Sequence, residues 1–396
     1  MGIFRFILAA LVMLSHIPGA YMPTNYGLSA VFGFYCLSGW LMAMSFRSFQ
    51  GKVAQPTRAF YFDRVIKLWP LYALVLGLSL ILFWVTAIRQ VSISQMIIEL
   101  FLIPNAFGRP FVWGNFNIVP PAWSLGVEAV FYLIVPFLSW ISFRAKVFVI
   151  YVLIAAHLMV LSVPFTFGAI MSCSWPLKES FCSHPVSDYL GTEFPLLASV
   201  PFLVGFVAHD MFVQGRRAFH LIVWWGMYLI IFTEVNKIYP VASNLGSHEV
   251  LFAMVFVVPI ALILLATRTG KPASSFDRFL GDLSYPLFLS HYIVIFGLTA
   301  YIGAENIVDY AFATIGGDGP GYIAGQEAVK AALAAWSPAQ GLPLVLPIFV
   351  LQVVPLALLL AYALSLVQVR VFDRYRYRAR GFESARPTLN APLSKA

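Results

Sequence analysis

Apolar runs of roughly 18 to 25 residues recur along almost the whole chain, each long enough to cross a hydrocarbon layer of about 30 Å as a helix. Backbone amides and carbonyls in lipid find no water, and a helix satisfies them within its own segment. Hydrophobic residues make up 60% of the 396, charged residues only 11%, and the mean hydropathy is +0.83. That balance is far from an ordinary soluble domain. The expected fold class is therefore all-α, a polytopic integral membrane protein of about ten transmembrane helices. The expected spans are residues 4–20, 28–46, 68–88, 123–143, 147–166, 190–212, 219–236, 249–267, 281–301 and 342–367. Residues 93–107 are apolar over only about half a span, which predicts a re-entrant or interfacial segment. No cationic stretch of any length precedes the first run and no small-residue cleavage site follows it, so it reads as a retained helix.

Charge sets the orientation. With the N-terminus in the cytoplasm, Arg5, Arg47, Lys52, Arg58, Arg64, Lys67, Arg144, Lys146, Arg216, Arg217, Arg268, Lys271 and Arg278 all fall inside. Only Arg89, Arg109, Lys178, Lys237 and Lys330 fall outside, so one topology satisfies the positive-inside rule at every loop and leaves both termini cytoplasmic. The net charge of +8 is thus spent on orientation and not on a nucleic-acid partner. Arg370, Arg374, Arg376, Arg378 and Arg380 form a basic tail suited to anionic membrane lipid. Residues 1–369 are expected to form one membrane domain, with 370–396 as a basic cytoplasmic tail that ends disordered.

Of the three cysteines, Cys36 sits within a span as packing, whereas Cys173 and Cys182 share an outside loop and can pair if that compartment is oxidising. The last outside loop carries Glu305, Asp309 and a Gly-rich run at 316–321, followed by a short amphipathic stretch at 324–336. No Cys or His cluster has ligand spacing, so no metal site and no permanently bound cofactor are expected.

Against this background His16, Glu128 and His291 stand out, because an ionisable group in a membrane span costs at least a few kcal/mol unless it is paired or faces a polar cavity. Arg5 and His16 lie on one helix face, since eleven residues at about 100° each return to within about 20° of the starting direction, with a rise of about 16 Å. A cationic foot and a deeper imidazole suit a long donor entering from the cytoplasm with its phosphates at the base. The plainer alternative is an interfacial anchor and a core histidine. Arg64 and Lys67 face one way at the cytoplasmic mouth of the third span. They can take a polyphosphate, the first as a fork and the second as a point charge. The alternative is an ordinary anchor with Asp63 pairing to Lys67. Ser124, Glu128 and Tyr132 form one stripe at the expected outer end of the fourth span. Glu128 has no cation within a turn of its own segment, so its partner comes from another helix; a dipole-assisted glutamate near a helix start is the competing reading. In the ninth span Ser284 and His291 share a face, and His157 and His209 read as packing.

Taken together, four of these stretches, with one more in the second span, resemble the acyltransferase-3 family of integral membrane acyltransferases over roughly residues 3–367. Residues 3–16 resemble its first helix with a basic residue and the histidine, and Phe34-Tyr35-Cys36-Leu37-Ser38-Gly39 its aromatic-Leu-Ser-Gly helix. Residues 63–72 resemble its Arg-x-x-Arg-x-x-Pro-x-Tyr segment, residues 123–136 its Trp-Ser-Leu-x-x-Glu stretch, and residues 284–291 its Ser-Tyr-x-x-Tyr-Leu-x-His stretch. Lys67 stands where the family usually has a second Arg, Phe288 where a Tyr is common, and Ala129 where a second acid often follows Glu128. The chain resembles the stand-alone type, without an esterase-like domain.

The resemblance implies transfer of an acyl group, acetyl by default, from cytoplasmic acyl-CoA to a hydroxyl of an extracytoplasmic glycan or glycolipid, in a bacterial inner membrane. Arg5, Arg64 and Lys67 would hold donor phosphates, and His16 would be the base or a transient acyl carrier. Glu128 would orient His16 or bind the acceptor; His291 would be a second candidate, with Ser38, Tyr72 and Ser124 as polar lining. Removing a proton from a sugar hydroxyl as it attacks a thioester calls for a base near neutrality, which suits histidine. A transporter or flippase for a glycan or lipid intermediate is the alternative, weakened by the lack of an internal repeat. A scaffold would leave the buried ionisable groups unexplained. The acceptor, the acyl length and the oligomeric state stay open at this level.

Overall fold

Every one of the ten apolar runs forms a helix in the computed structural model, which describes residues 1–17, 24–50, 52–86, 91–102, 117–167, 194–238, 246–266, 274–302 and 345–375. The helices are α1 (Gly2–Ser15), α2 (Thr24–Phe49), α3 (Pro56–Thr86), α4 (Ile93–Leu100), α5 (Ala122–Trp140), α6 (Phe143–Phe167), α7 (Pro195–Ala198), α8 (Val200–Gln214), α9 (Phe219–Ile238), α10 (Gly246–Ala266), α11 (Ser275–Ile302) and α12 (Val345–Val367). α7 and α8 make one broken span, and α12 runs on through a wider π-helical turn at Gln368–Phe372. No strand occurs among the described residues. The chain is an all-α membrane protein, with eight helical segments among the described residues long and apolar enough to cross a bilayer. Cys173, Cys182 and the Gly-rich loop at 316–321 lie outside the described residues.

Several boundaries differ from expectation. α1 has 14 residues and ends with His16 as its C-cap, where residues to 20 were expected. It rises only about 21 Å. The sequence Ile17-Pro18 accounts for the stop, because proline disfavours helical backbone in the residue before it. α3 begins at Pro56, so the second half of the expected 47–67 connection is helical. Proline at N1 lacks only an amide that would be orphaned there anyway. α4 occupies part of the expected half-span and is tied to the middle of α3. Tyr72 donates to the Glu99 carbonyl at 2.6 Å, and Trp69 Nε1 to the Leu100 carbonyl at 3.0 Å.

α2 is the hub, touching α1, α3, α5, α8 and α10. Helix association in lipid rests on close van der Waals fit, which small residues allow. Gly39 of α2 and Gly205 of α8 provide it: a Cβ at either would collide with the other helix's backbone, at Phe202 and Cys36 respectively. α1 lies along α11, and the N-terminal ammonium sits 3.1 Å from Asp277 at the start of that helix. Large apolar side chains left uncovered, such as Trp84, Ile93 and Leu351, face outward, as lipid contact demands.

A cavity and a histidine pair form the candidate active site

α2 sends one stripe of side chains inward. Val31, Phe34, Tyr35, Ser38, Leu41 and Met42 recur at helical spacing and line a cavity of about 70 Å³. α5 contributes Ser124, Leu125, Glu128 and Tyr132; α11 contributes Ser284, Tyr285 and Phe288; Arg5 and Lys67 complete the wall. Five of the sequence candidates, Arg5, Ser38, Lys67, Ser124 and Glu128, thus meet around one space.

The mouth carries the charge. Asp282 interacts electrostatically with Arg5, Lys67, Arg278 and Asp373. Gln368 Nε2 approaches the Lys67 carbonyl at 3.5 Å, which draws the end of α12 to the same edge. The starts of α1 and α11 and the end of α12 therefore share one side, the side that the charge bias assigns to the cytoplasm.

Inside, Glu128 Oε1 accepts from Ser38 Oγ at 2.7 Å and from Tyr132 OH at 2.6 Å. Both donors are short, as expected for a carboxylate acceptor. Ser124 Oγ turns back to the Pro121 carbonyl at 2.8 Å, and Tyr35 OH reaches the Ser124 carbonyl at 3.3 Å. The depth of this group differs from expectation. Glu99 Oε1 accepts from the Ile118 amide at 2.6 Å, so α5 starts near the level of Tyr72, midway along α3. Glu128 lies about 9 Å along α5 from that start. Glu128 and Lys67 line the same cavity.

His16 and His291 form a separate group. Their rings stack with centroids 5.5 Å apart and planes 23° from parallel, and Tyr292 packs on both at 4.9 and 4.4 Å. His16 Nδ1 lies 2.7 Å from the Val12 carbonyl, and His291 Nδ1 lies 3.1 Å from the Leu287 carbonyl. A carbonyl can only accept, so each Nδ1 carries the proton and each Nε2 keeps a lone pair. The buried Nε2 of His291 has no hydrogen-bond partner. Phe288 lines the cavity, and His291 follows it by one turn of α11, about 4.5 Å of rise. Glu128 is not hydrogen-bonded to His16; its partners are Ser38 and Tyr132.

One expected donor ligand, Arg64, and one expected lining residue, Tyr72, are engaged elsewhere. Arg64, only 4% exposed, pairs with Asp63, which was expected opposite Lys67. It also donates to Ser45 Oγ at 3.1 Å and to Met42 Sδ at 3.4 Å, and its guanidinium lies near the Phe60 and Tyr132 rings. It fastens α3 to α2 behind the cavity wall and does not line it. Tyr72 likewise serves the α4 contact.

Three acidic residues escaped the sequence reading. Asp282 sits at the mouth, Glu99 holds the entry to α5, and Asp210, 0% exposed, bridges Arg47 at 2.7 Å and Lys146 at 2.5 Å. Asp210 and Glu99 each lay in an apolar run, the signal that singled out Glu128. Of the other histidines, His157 Nδ1 meets Tyr228 OH at 2.8 Å and His209 packs edge-on against Trp40, both as packing groups. No group of three His, Cys, Asp or Glu among the described residues could hold a metal ion.

The cavity thus has Arg5, Lys67, Ser38 and Glu128 in its wall, with His291, stacked on His16, one turn of α11 beyond the lining Phe288. The chain belongs to the acyltransferase-3 family, whose acyltransferase domain matches residues 1–366. It is a multi-pass membrane acyltransferase. No curated protein and no solved structure matches it.

Proposed function

We propose that this acyltransferase moves an acyl group, acetyl by default, from cytoplasmic acyl-CoA to a hydroxyl of an extracytoplasmic glycan or glycolipid. The observation that carries the reading is the placement of Arg5 and Lys67 in the cavity wall, with His291 one turn of α11 beyond the lining Phe288 and stacked on His16. Arg5 to His16 spans about 16 Å of α1, a fitting reach for a donor with anionic phosphates at one end and a thioester at the other.

In the reaction the acceptor hydroxyl attacks the thioester carbonyl carbon while His16 Nε2 takes its proton. The tetrahedral intermediate collapses, the C–S bond breaks, and the proton passes from the imidazolium to the departing thiolate. The His16 Nδ1–H stays on the Val12 carbonyl throughout, which holds the tautomer and the ring orientation. His291, stacked beside it, lends a second lone pair for the proton or the acceptor hydroxyl. Glu128, with Ser38 and Tyr132, supplies the polar wall along which the donor lies.

The test is transfer of radiolabelled acetyl from acetyl-CoA in inverted membrane vesicles that contain the protein, against vesicles that lack it. Label appearing in glycan or glycolipid only with the protein supports the reading. Movement of a glycan or lipid intermediate across the vesicle membrane without any acyl donor, and no label transfer, would replace it with a transporter.

A further inference from the structure

We propose that Phe34 and Phe288 set the length of the acyl group that this enzyme transfers, admitting short chains and excluding longer ones; the inference rests on the acyl-CoA reading above. Arg5 and Lys67, the polar Ser38, Ser124, Glu128 and Tyr132, and aromatic and aliphatic side chains that include Phe34 and Phe288 share the cavity wall. There the Phe34 and Phe288 rings meet edge to face, with centroids 5.6 Å apart and planes at 67°. Phe288 is 7% exposed, so its ring is held by its surroundings, and Val31 lies on the same stripe of α2 as Phe34.

The placement of this ring pair decides what can pass. Phe288 lines the cavity, and His291 follows one turn later on the same helix, stacked on His16. A thioester carbonyl that reaches the His16 Nε2 from the cavity carries its acyl carbons alongside the two rings. An acetyl methyl needs little room there. A chain of many carbons has to displace one ring, and edge-to-face pairs in a packed wall resist that movement. Truncating either ring opens apolar space where added methylenes can lie, and each methylene then gains burial it lacks in the wild type.

The experiment compares transfer from acetyl-, butyryl- and octanoyl-CoA in inverted vesicles by the wild type, Phe288→Ala, Phe288→Leu and Phe34→Ala. Thermal melting in detergent establishes that each variant is folded. The expected result is a wild type that prefers acetyl, and an octanoyl-to-acetyl ratio raised roughly tenfold or more in Phe288→Ala and Phe34→Ala, with Phe288→Leu between. An unchanged ratio in the folded alanine variants, with acetyl transfer retained, overturns the inference and leaves the acyl-CoA reading standing. Transfer of none of the three acyl groups by the wild type overturns both.

Discussion

His16 at the end of α1 and His291 in α11 stack at 5.5 Å with both Nδ1 atoms turned to carbonyls of their own helices. Each ring therefore presents Nε2 as its basic atom, and the pair can take one proton between them without either losing its anchoring hydrogen bond. Replacing His291 with Ala removes the neighbour but leaves the Val12 anchor of His16 intact. We expect kcat to fall roughly 10- to 100-fold with donor KM little changed, which steady-state kinetics across acetyl-CoA concentrations will read.

Glu128 is held by two hydroxyl donors from two helices, Ser38 and Tyr132. Glu128→Gln keeps the shape, keeps one acceptor oxygen and removes the charge. Transfer is expected to fall about 10-fold or more, and Ser38→Ala to do less. A double-mutant cycle between the two positions checks the contact, because a direct hydrogen bond gives a coupling of about 0.5–3 kcal/mol and independent roles give none.

The mouth combines Arg5 and Lys67 with Asp282. Removing a cation there weakens attraction for an anionic donor, and removing the carboxylate strengthens it. Arg5→Gln and Lys67→Gln are expected to raise the KM for acetyl-CoA several-fold at unchanged kcat, and Asp282→Asn to lower it. Raising the salt concentration should shrink all three differences, since the groups sit at an open mouth.

The helices and the residue types of the site were legible because long apolar runs and intramembrane polar groups leave few folding options in lipid. The contacts between helices were not. Arg64 and Lys67 share a helix face by spacing, yet Asp63 and Ser45 draw Arg64 behind the wall while Lys67 lines the cavity. Glu128 was expected near the outer surface. The α4 contacts from Glu99 to Tyr72 and Ile118 start α5 beside the middle of α3, and Glu128 lines the cavity together with Lys67. The stacking of His16 on His291 depends on α1 lying along α11, which no local pattern encodes.

Asp210 holds two cations from α2 and α6, and Lys146 is itself only 6% exposed. Asp210→Ala leaves an ammonium buried without its counter-charge. The expected cost is about 3–5 kcal/mol, measured as a large drop in melting temperature in detergent. Asp210→Ala combined with Lys146→Met removes both charges and should recover most of that loss.

The central claim is that His16 is the group that takes the acceptor's proton. Radiolabelled acetyl transfer in inverted vesicles, wild type against His16→Ala at matched expression and matched melting temperature, tests it most directly. We expect label in glycan or glycolipid with the wild type and a loss of about 100-fold or more with His16→Ala. Equal transfer by the two would contradict it.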